Sequence, residues 1–479
     1  MNNVSNGTRV GKNALMLGVG NLLSRAIGFI LYILLARYLG PKQYGVYNIA
    51  ISFIQIFVLL TNFGLDVVYI RDVSRDRSSS SSYFYSGFSL KIALSIASFI
   101  ILVIIARILN YNTFVFIAIM TYGISITFQA LLELISSVFK AIESMKYVSY
   151  IIISRSLLAI SFILFLILLQ KDVIAILIAQ NTSFVLVALF FIVVLVKKDL
   201  ITGKYSLDWS LCPLMIKMSL PFVFIGILHI INFRTDIIML SLLTNETLAG
   251  YYSAANEFII TLYILPNIIS TALFPALSKQ FGRESTSITD MSNFSTKLLI
   301  TIGVPMGIGL FILAPNIVDF VLGPQYGQSV IAMRILSIGI TLTYARLIFS
   351  WLLTAVNLEK YALREYALCL AINLLLNAIL IPRYQIKGAA IATVVSAVVG
   401  NSYLYLKSRR VFRDIVFLKY YIKPLLCAGI MAIILNYMPF FNVVVLVLVG
   451  SVSYFAAAIT FSVFSRQEYA LFLKGFKRS

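Results

Sequence analysis

Charge is scarce in this chain. Only 12% of its 479 residues are Asp, Glu, Lys or Arg, about half the share of a soluble domain. Histidine occurs once, at His229, so no histidine cluster is available to hold a metal. The three cysteines, Cys212, Cys369 and Cys427, are odd in number and far apart. They imply neither a disulfide frame nor a metal motif. Long polar stretches are missing too: residues 71–82, 198–210 and 279–293 are the longest, too short for a soluble domain.

Apolar residues fill the space. They make up 60% of the chain, and the mean hydropathy is +0.96. A helix needs roughly 20 apolar residues to cross about 30 Å of hydrocarbon. The pattern predicts an all-α polytopic membrane protein with about 14 transmembrane helices. They fall near 12–37, 44–66, 84–109, 112–140, 146–169, 172–197, 213–241, 247–275, 292–321, 328–355, 360–381, 386–407, 419–437 and 440–463. The first apolar segment is too long for a signal-peptide core.

The formal net charge of +20 raises the question of nucleic acid. Its distribution answers otherwise. With the N-terminus inside, most Lys and Arg fall in inner loops, such as Arg71, Arg75 and Arg77, or Lys407, Arg409, Arg410 and Arg413. Outer positions hold only Arg37, Lys42, Arg107, Lys171, Arg383 and Lys387. This is the positive-inside asymmetry, and it places both termini in the cytoplasm. The excess charge therefore reads as topology and attraction to anionic lipid, not as nucleic-acid binding. The serine run 78–82 reads as a flexible connector.

A weak internal repeat is visible. Gly45-Val46-Tyr47-Asn48-Ile49-Ala50 follows the first span, and Gly250-Tyr251-Tyr252-Ser253-Ala254-Ala255 follows the seventh. A second echo sets Ala141 with Lys146-Tyr147 against Ala355 with Lys360-Tyr361. The offsets, 205 and 214, fit units of six helices. Six is even, so both units keep one orientation, as in transporters with parallel repeats. The expected organisation is a six-helix lobe at 1–198, a cytoplasmic linker at 199–212 and a second six-helix lobe at 213–407. Helices 13 and 14 with a cytoplasmic tail follow at 408–479. Sites in such proteins lie near the midplane.

Five arginines fall inside spans: Arg25, Arg155, Arg234, Arg334 and Arg346. Three acids accompany them: Glu133, Asp236 and Glu257. A charge at a helix centre costs about 2.5–3.5 kcal/mol on insertion scales, so each must face water, protein or a ligand. Arg155 with Glu133, or Arg234 with Glu257, would be interhelix ion pairs. Arg234 and Asp236 are two apart and point to different faces. Arg25 has no acid at its depth, since Asp66 and Asp319 lie at span ends. Arginine binds phosphate oxygens bidentately and stays charged at physiological pH. Arg25, Arg155, Arg234 and Arg346 are therefore candidates for holding an anionic substrate. Asp236, Glu257 and Glu133 are candidates for ion coupling, and Asn373 with Asn377 for interhelix glue. Arg334 can snorkel outward.

These residues resemble the polysaccharide-type branch of the multidrug/oligosaccharidyl-lipid/polysaccharide exporter superfamily. The resemblance rests on Ser24-Arg25-x-x-Gly28-Phe29, Ala36-Arg37-Tyr38-Leu39-Gly40, Tyr44-Gly45-x-Tyr47, Phe63-Gly64-Leu65 with Arg71, and Asp236. It continues through Gly250-x-Tyr252-Ser253-Ala254-Ala255, Phe274-Pro275-Ala276-Leu277-Ser278, Leu322-Gly323-x-x-Tyr326 and Gly388-Ala389-Ala390-Ile391-Ala392-Thr393. It implies a Wzx-like flippase: two six-helix lobes with two extra helices around a cationic cavity. Such a protein moves a polyprenyl-diphosphate-linked glycan from the cytoplasmic to the outer leaflet by alternating access. The implied protein is a monomer of the plasma membrane working beside glycan-assembly proteins, without cofactor or metal. Arg25 matches the first-helix arginine of the related lipid II flippases. Where those carry a second arginine about two turns on, this chain has Leu31 or Tyr32.

Two rivals are weighed against this. A cation-coupled small-molecule or multidrug antiporter of the same superfamily wants a carboxylate near the depth of Arg25. A membrane enzyme, such as a glycan polymerase, wants acid-bearing outer loops, and the expected outer loops are short and nearly free of acids.

Overall fold

The computed structural model describes residues 2–201, 207–269, 285–356, 358–411, 417, 419–438 and 441–465. The 274–278 motif with Pro275, residues 202–206 of the expected linker, Arg413, and residues 466–479 of the expected tail lie outside the described residues. Every regular element among the described residues is a helix. Lipid offers no hydrogen bonds, so a spanning backbone must satisfy its own amides, and a helix does that within one segment.

Helix α1 (Asn2–Asn62) holds two arms joined at Gly40, whose φ of 67° and ψ of 172° break the helical path. Pro41 follows and lacks an N–H to carry the ladder across. The same device recurs in α12 (Lys360–Val411), where Gln385 sits at φ 50° and ψ −125° after Pro382. A Cβ on Gly388 would collide with the Leu380 carbonyl, so that turn requires glycine there. Between them lie α2 (Leu65–Arg75), α3 (Ser80–Ile108), α4 (Thr113–Gly123), α5 (Ser125–Ala141), α6 (Met145–Leu168), α7 (Val173–Lys197) and α8 (Leu211–Leu243). Next come α9 (Glu246–Leu262), α10 (Ser285–Leu322) and α11 (Ser329–Ala355), and α13 (Lys419–Asn436) and α14 (Val443–Thr460) close the series. Among the described residues, ten stretches are long and apolar enough to cross a membrane by length and composition. Two of them, 16–75 and 360–411, contain the bends.

Burial runs opposite to that of a soluble helix. On α3 the buried stripe is Phe84, Gly87, Lys91, Ser95, Ser98, Leu102 and Ala106, at spacings of three and four. The exposed stripe is Ile96, Ile100, Ile104 and Ile108. Small and polar residues face helices while large aliphatics face outward, the arrangement that close packing in lipid selects.

The serine run corrects the expectation of a flexible connector. Residues 77–79 form one 3-10 turn and Ser80–Ser82 open α3, with Ser80 and Ser81 buried. Asp76 caps the turn: Ser78 donates to its Oδ1 from N at 3.0 Å and from Oγ at 2.7 Å. Those bonds hold the Asp76 carboxyl below its ordinary range. Helix α2 buries Leu65, Val68, Tyr69 and Val73 and exposes Arg71 and Arg75.

The contacts gather the chain into two compact units, Met1–Gly250 and Tyr251–Ser479. In the first, α1 packs on α6, α8, α4, α3 and α5. In the second, α11 packs on α10 and α12, and α10 on α13 and α14. Helix α8, which follows the expected linker, packs on α1, α2 and α3.

The repeat residues make the same contacts in each unit. Gln180 on α7 donates to the Tyr47 hydroxyl at 2.5 Å, and Tyr252 shares a 3.0 Å bond with Thr393 on the second arm of α12. Tyr147 lies under Lys146 at 5.1 Å and Lys198 at 5.4 Å, while Tyr361 lies under Lys360 at 5.7 Å and Lys407 at 5.5 Å.

Candidate functional site

The wall of the first unit is built on the seam between α1 and α6. A Cβ on Gly20 would lie 2.8 Å from that of Ser149, so the helices touch there. One turn to either side, the Ser149 hydroxyl donates to the Met16 carbonyl at 2.9 Å and Ser24 bonds Ser156 at 2.7 Å between hydroxyls. Beyond Ser24 the helices part around a cavity of about 200 Å³. Ser24 and Gly28 of α1, Tyr47 and Gln55 of its second arm, Tyr122 of α4, Arg155 and Ser156 of α6, and Gln180 and Phe184 of α7 all reach it.

Arg155 is the only charged residue of that lining. Its guanidinium lies 5.1 Å from the Phe184 ring centroid. Among the described residues it makes no ion pair, so the expected pairing with Glu133 is not formed. A guanidinium stacked on a ring keeps its N–H edge available for a planar anion. Gln55 links the cavity to a second cation, because Arg234 Nε donates to its Oε1 at 2.7 Å. Both guanidiniums act electrostatically on the Tyr122 phenol.

The other expected site residues are scattered. Arg25 is exposed and neighbours the seam residue Ser24, but does not line the cavity. At about 100° per residue it points away from the seam. It makes no ion pair among the described residues. Glu133 is exposed on α5, with Asp66, Lys140, Lys91 and Arg155 as its charged neighbours. Asp236 is buried on α8, and Glu257 is half-buried on α9. Arg334 donates to the Phe311 carbonyl at 3.2 Å. His229 stacks on Phe233 one turn away, at 4.9 Å. Asn377 donates to Asn373 at 3.0 Å, both buried.

Two charged clusters were missed from sequence. Lys91 is fully buried, with Nζ 2.8 Å from both Asp66 Oδ1 and Asn62 Oδ1. Asp66 was expected to sit in water at a span end; its side chain is only 16% exposed. In the second unit, Arg346 Nε lies 3.2 Å from Oε1 of Glu365, which is 1% exposed and also accepts from the Cys369 thiol at 3.0 Å. Tyr366 supports the guanidinium at 5.0 Å. An acid near a predicted helix end was the available signal in both cases.

The family model described as polysaccharide biosynthesis protein matches residues 10–281, and that described as lipid II flippase MurJ matches residues 211–472. The chain is 27% identical over 236 residues to "Probable flippase AglR" of Haloferax volcanii, covering 46% of this chain and 48% of that protein. It thus spans about half of that relative's length. It is 22% identical over 420 residues to the capsular polysaccharide biosynthesis protein CapF of Staphylococcus aureus, covering 84% of this chain and all of CapF. Among solved structures, lipid II flippase MurJ in an inward closed conformation superposes with a TM-score of 0.79 at 17% identity, over 94% of this chain and 99% of that one. An inward-facing multidrug resistance MATE family transporter gives 0.68 at 15% identity, over 83% and 95%. At those identities the likeness shows the fold.

Proposed function

Because the chain belongs to the polysaccharide biosynthesis protein family, we propose that it is a flippase for a polyprenyl-diphosphate-linked oligosaccharide. It carries the glycan from the cytoplasmic to the outer leaflet for surface polysaccharide or glycan assembly. The observation that carries this reading is cationic, hydrogen-bonding surface set into a protein whose outer faces are aliphatic. Arg25 and Arg155 have no acid partner among the described residues, and a polar cavity adjoins them. An anionic ligand supplies the charge they lack. The AglR and CapF names support the cargo class.

In this mechanism Arg25 captures the diphosphate as it enters from the inner leaflet. Arg155 and Arg234 hold it or its first sugars. Arg346, paired with Glu365, offers no net charge until that pair opens. Exchange between inward-open and outward-open states then releases the lipid on the far side, with no covalent chemistry. Asp236, Glu257 and Glu133 are the groups through which an ion gradient would act. The protein works as a monomer in the plasma membrane with both termini in the cytoplasm, in company with glycan-assembly proteins.

The test is flipping of a fluorescent prenyl-diphosphate glycan by the purified protein in vesicles. A hydrogen bond to a charged group is worth about 1.5–3 kcal/mol, so Arg25→Ala should slow flipping about ten- to a hundredfold. Arg25→Lys should fall between. Wild-type rates in Arg25→Ala would end the docking role. The MATE superposition and the buried Asp236 favour a second reading, a cation-coupled antiporter. Drug resistance on expression, without flipping, would select it.

A further inference from the structure

We infer that the cavity of the first unit is a subsite for a single carboxylate-bearing sugar ring. The inference rests on the flippase reading and names the cargo that this part of the protein selects. Size is the first argument. About 200 Å³ lies below the roughly 300–1,000 Å³ of pockets for drug-sized ligands, so the space suits one sugar ring better than a chain of them. A Cβ on Gly28 would meet nothing within 4 Å, so the wall is left open at that point.

Charge is the second argument. Among the described residues no Asp or Glu lines the cavity, and Arg155 is the one charged side chain of its lining. A neutral sugar would leave that cation with no ion-pair partner among the described residues and only the more distant Glu133 to offset it, which is costly. A diphosphate carries more negative charge than one guanidinium balances. A single carboxylate matches it, and the stacked guanidinium presents the two-pronged edge a carboxylate accepts from.

Hydroxyl chemistry is the third argument. Gln55, Gln180, Tyr47, Tyr122 and Ser156 surround the same space, and amides and hydroxyls both give and accept hydrogen bonds. The Phe184 ring supplies an apolar surface within the wall. Gln180 is fixed by its bond to Tyr47, and Gln55 by its bond from Arg234, so the ring of partners is ordered before a ligand arrives.

The experiment measures binding of methyl glucuronide and methyl glucoside to the purified full chain by calorimetry. The wild type should prefer the glucuronide by at least about tenfold. Arg155→Gln should erase that preference, weakening the glucuronide at least about tenfold more than the glucoside. Gly28→Leu, which fills the space without altering charge, should abolish binding of both. Thermal unfolding of each variant reports folding separately. Equal binding of the two sugars by the wild type, or a preference that survives Arg155→Gln, overturns the inference. Flipping of two prenyl-diphosphate glycans, one built only from neutral sugars and one bearing a uronate, tests the transport reading apart from this one. If the wild type moves either but shows no glucuronide preference, only the subsite is lost. If the preference holds and no glycan moves, the flippase reading is lost.

Discussion

Gly45 and Gly250, the matching glycines of the internal repeat, meet backbone to backbone. A Cβ on Gly45 would collide with the Glu246 carbonyl and lie 3.0 Å from the Gly250 nitrogen. A Cβ on Gly250 would collide with the Pro41 carbonyl and lie 3.0 Å from the Gly45 nitrogen. Each glycine is there because the other segment leaves no room. Beside them Asn112 donates to the Glu246 carboxylate, and Tyr111 bonds Ser241 at 2.7 Å.

This contact predicts that Gly45→Ala and Gly250→Ala each destabilise the protein by about 1–3 kcal/mol, the usual cost of overpacking. A backbone carbonyl cannot rotate away as a side chain can. Thermal unfolding in detergent checks it, with Gly18→Ala as control, since that Cβ meets nothing within 4 Å.

Lys91 predicts a double-mutant signature. Asp66→Asn leaves a fully buried ammonium with only the Asn62 oxygen and the new amide, and should cost about 3–5 kcal/mol. Lys91→Met should cost a similar amount. The double variant Lys91→Met with Asp66→Asn should recover most of the loss, because it removes both desolvated charges. Additive losses in denaturant unfolding would show that the two groups are independent.

The Arg346–Glu365 pair makes Cys369 a reporter. The thiol is buried and donates to Glu365, so maleimide should label it slowly. A Cβ on Gly400 would lie 2.5 Å from Glu365 Oε1 and collide with the Cys369 sulfur. Gly400→Ala should therefore force the cluster apart and speed labelling at least about tenfold. Unchanged labelling would mean that the cluster absorbs the methyl group.

The Asp76 cap predicts a pH dependence on the acid side. Its carboxyl titrates below the ordinary 3.8 because Ser78 bonds the ionised form. The cap therefore contributes in full above 3.8, and its contribution fades as pH falls through the depressed value. Hydrogen exchange at the Ser78 amide should accelerate there beyond its intrinsic acid dependence. Asp76→Asn should remove that extra step.

Much of the fold was legible because spans obey one rule, enough apolar length to satisfy their own backbone in lipid. The two bends fell in the gaps between the predicted spans 12–37 and 44–66, and 360–381 and 386–407. The tyrosines of the repeat echoes each bond or stack within their own unit, Tyr47 with Gln180 and Tyr252 with Thr393, Tyr147 under Lys198 and Tyr361 under Lys407. The serine run misled because composition alone suggests a linker, whereas Asp76 and the buried Ser80 and Ser81 turn it into a helix start.

The site was read less completely. Arg25 and Arg155 announced themselves as charges in apolar runs, but nothing local said that Arg155 would stack on Phe184 or that Arg346 would meet Glu365. Gln55 and Gln180 carried no signal at all, since uncharged polar residues are tolerated in spans for many reasons, and Tyr47 stood out only as a repeat and motif residue.

Sequence by itself determined that this chain lives in a bilayer, and it marked some of the charges within the apolar runs, because a charge there is so costly that it stands out. Tertiary structure alone decided which charges are matched and which, such as Arg155, make no ion pair among the described residues. That division follows from range: hydropathy is a property of consecutive residues, whereas the partner of a buried charge comes from whichever helix packing brings within a few ångströms.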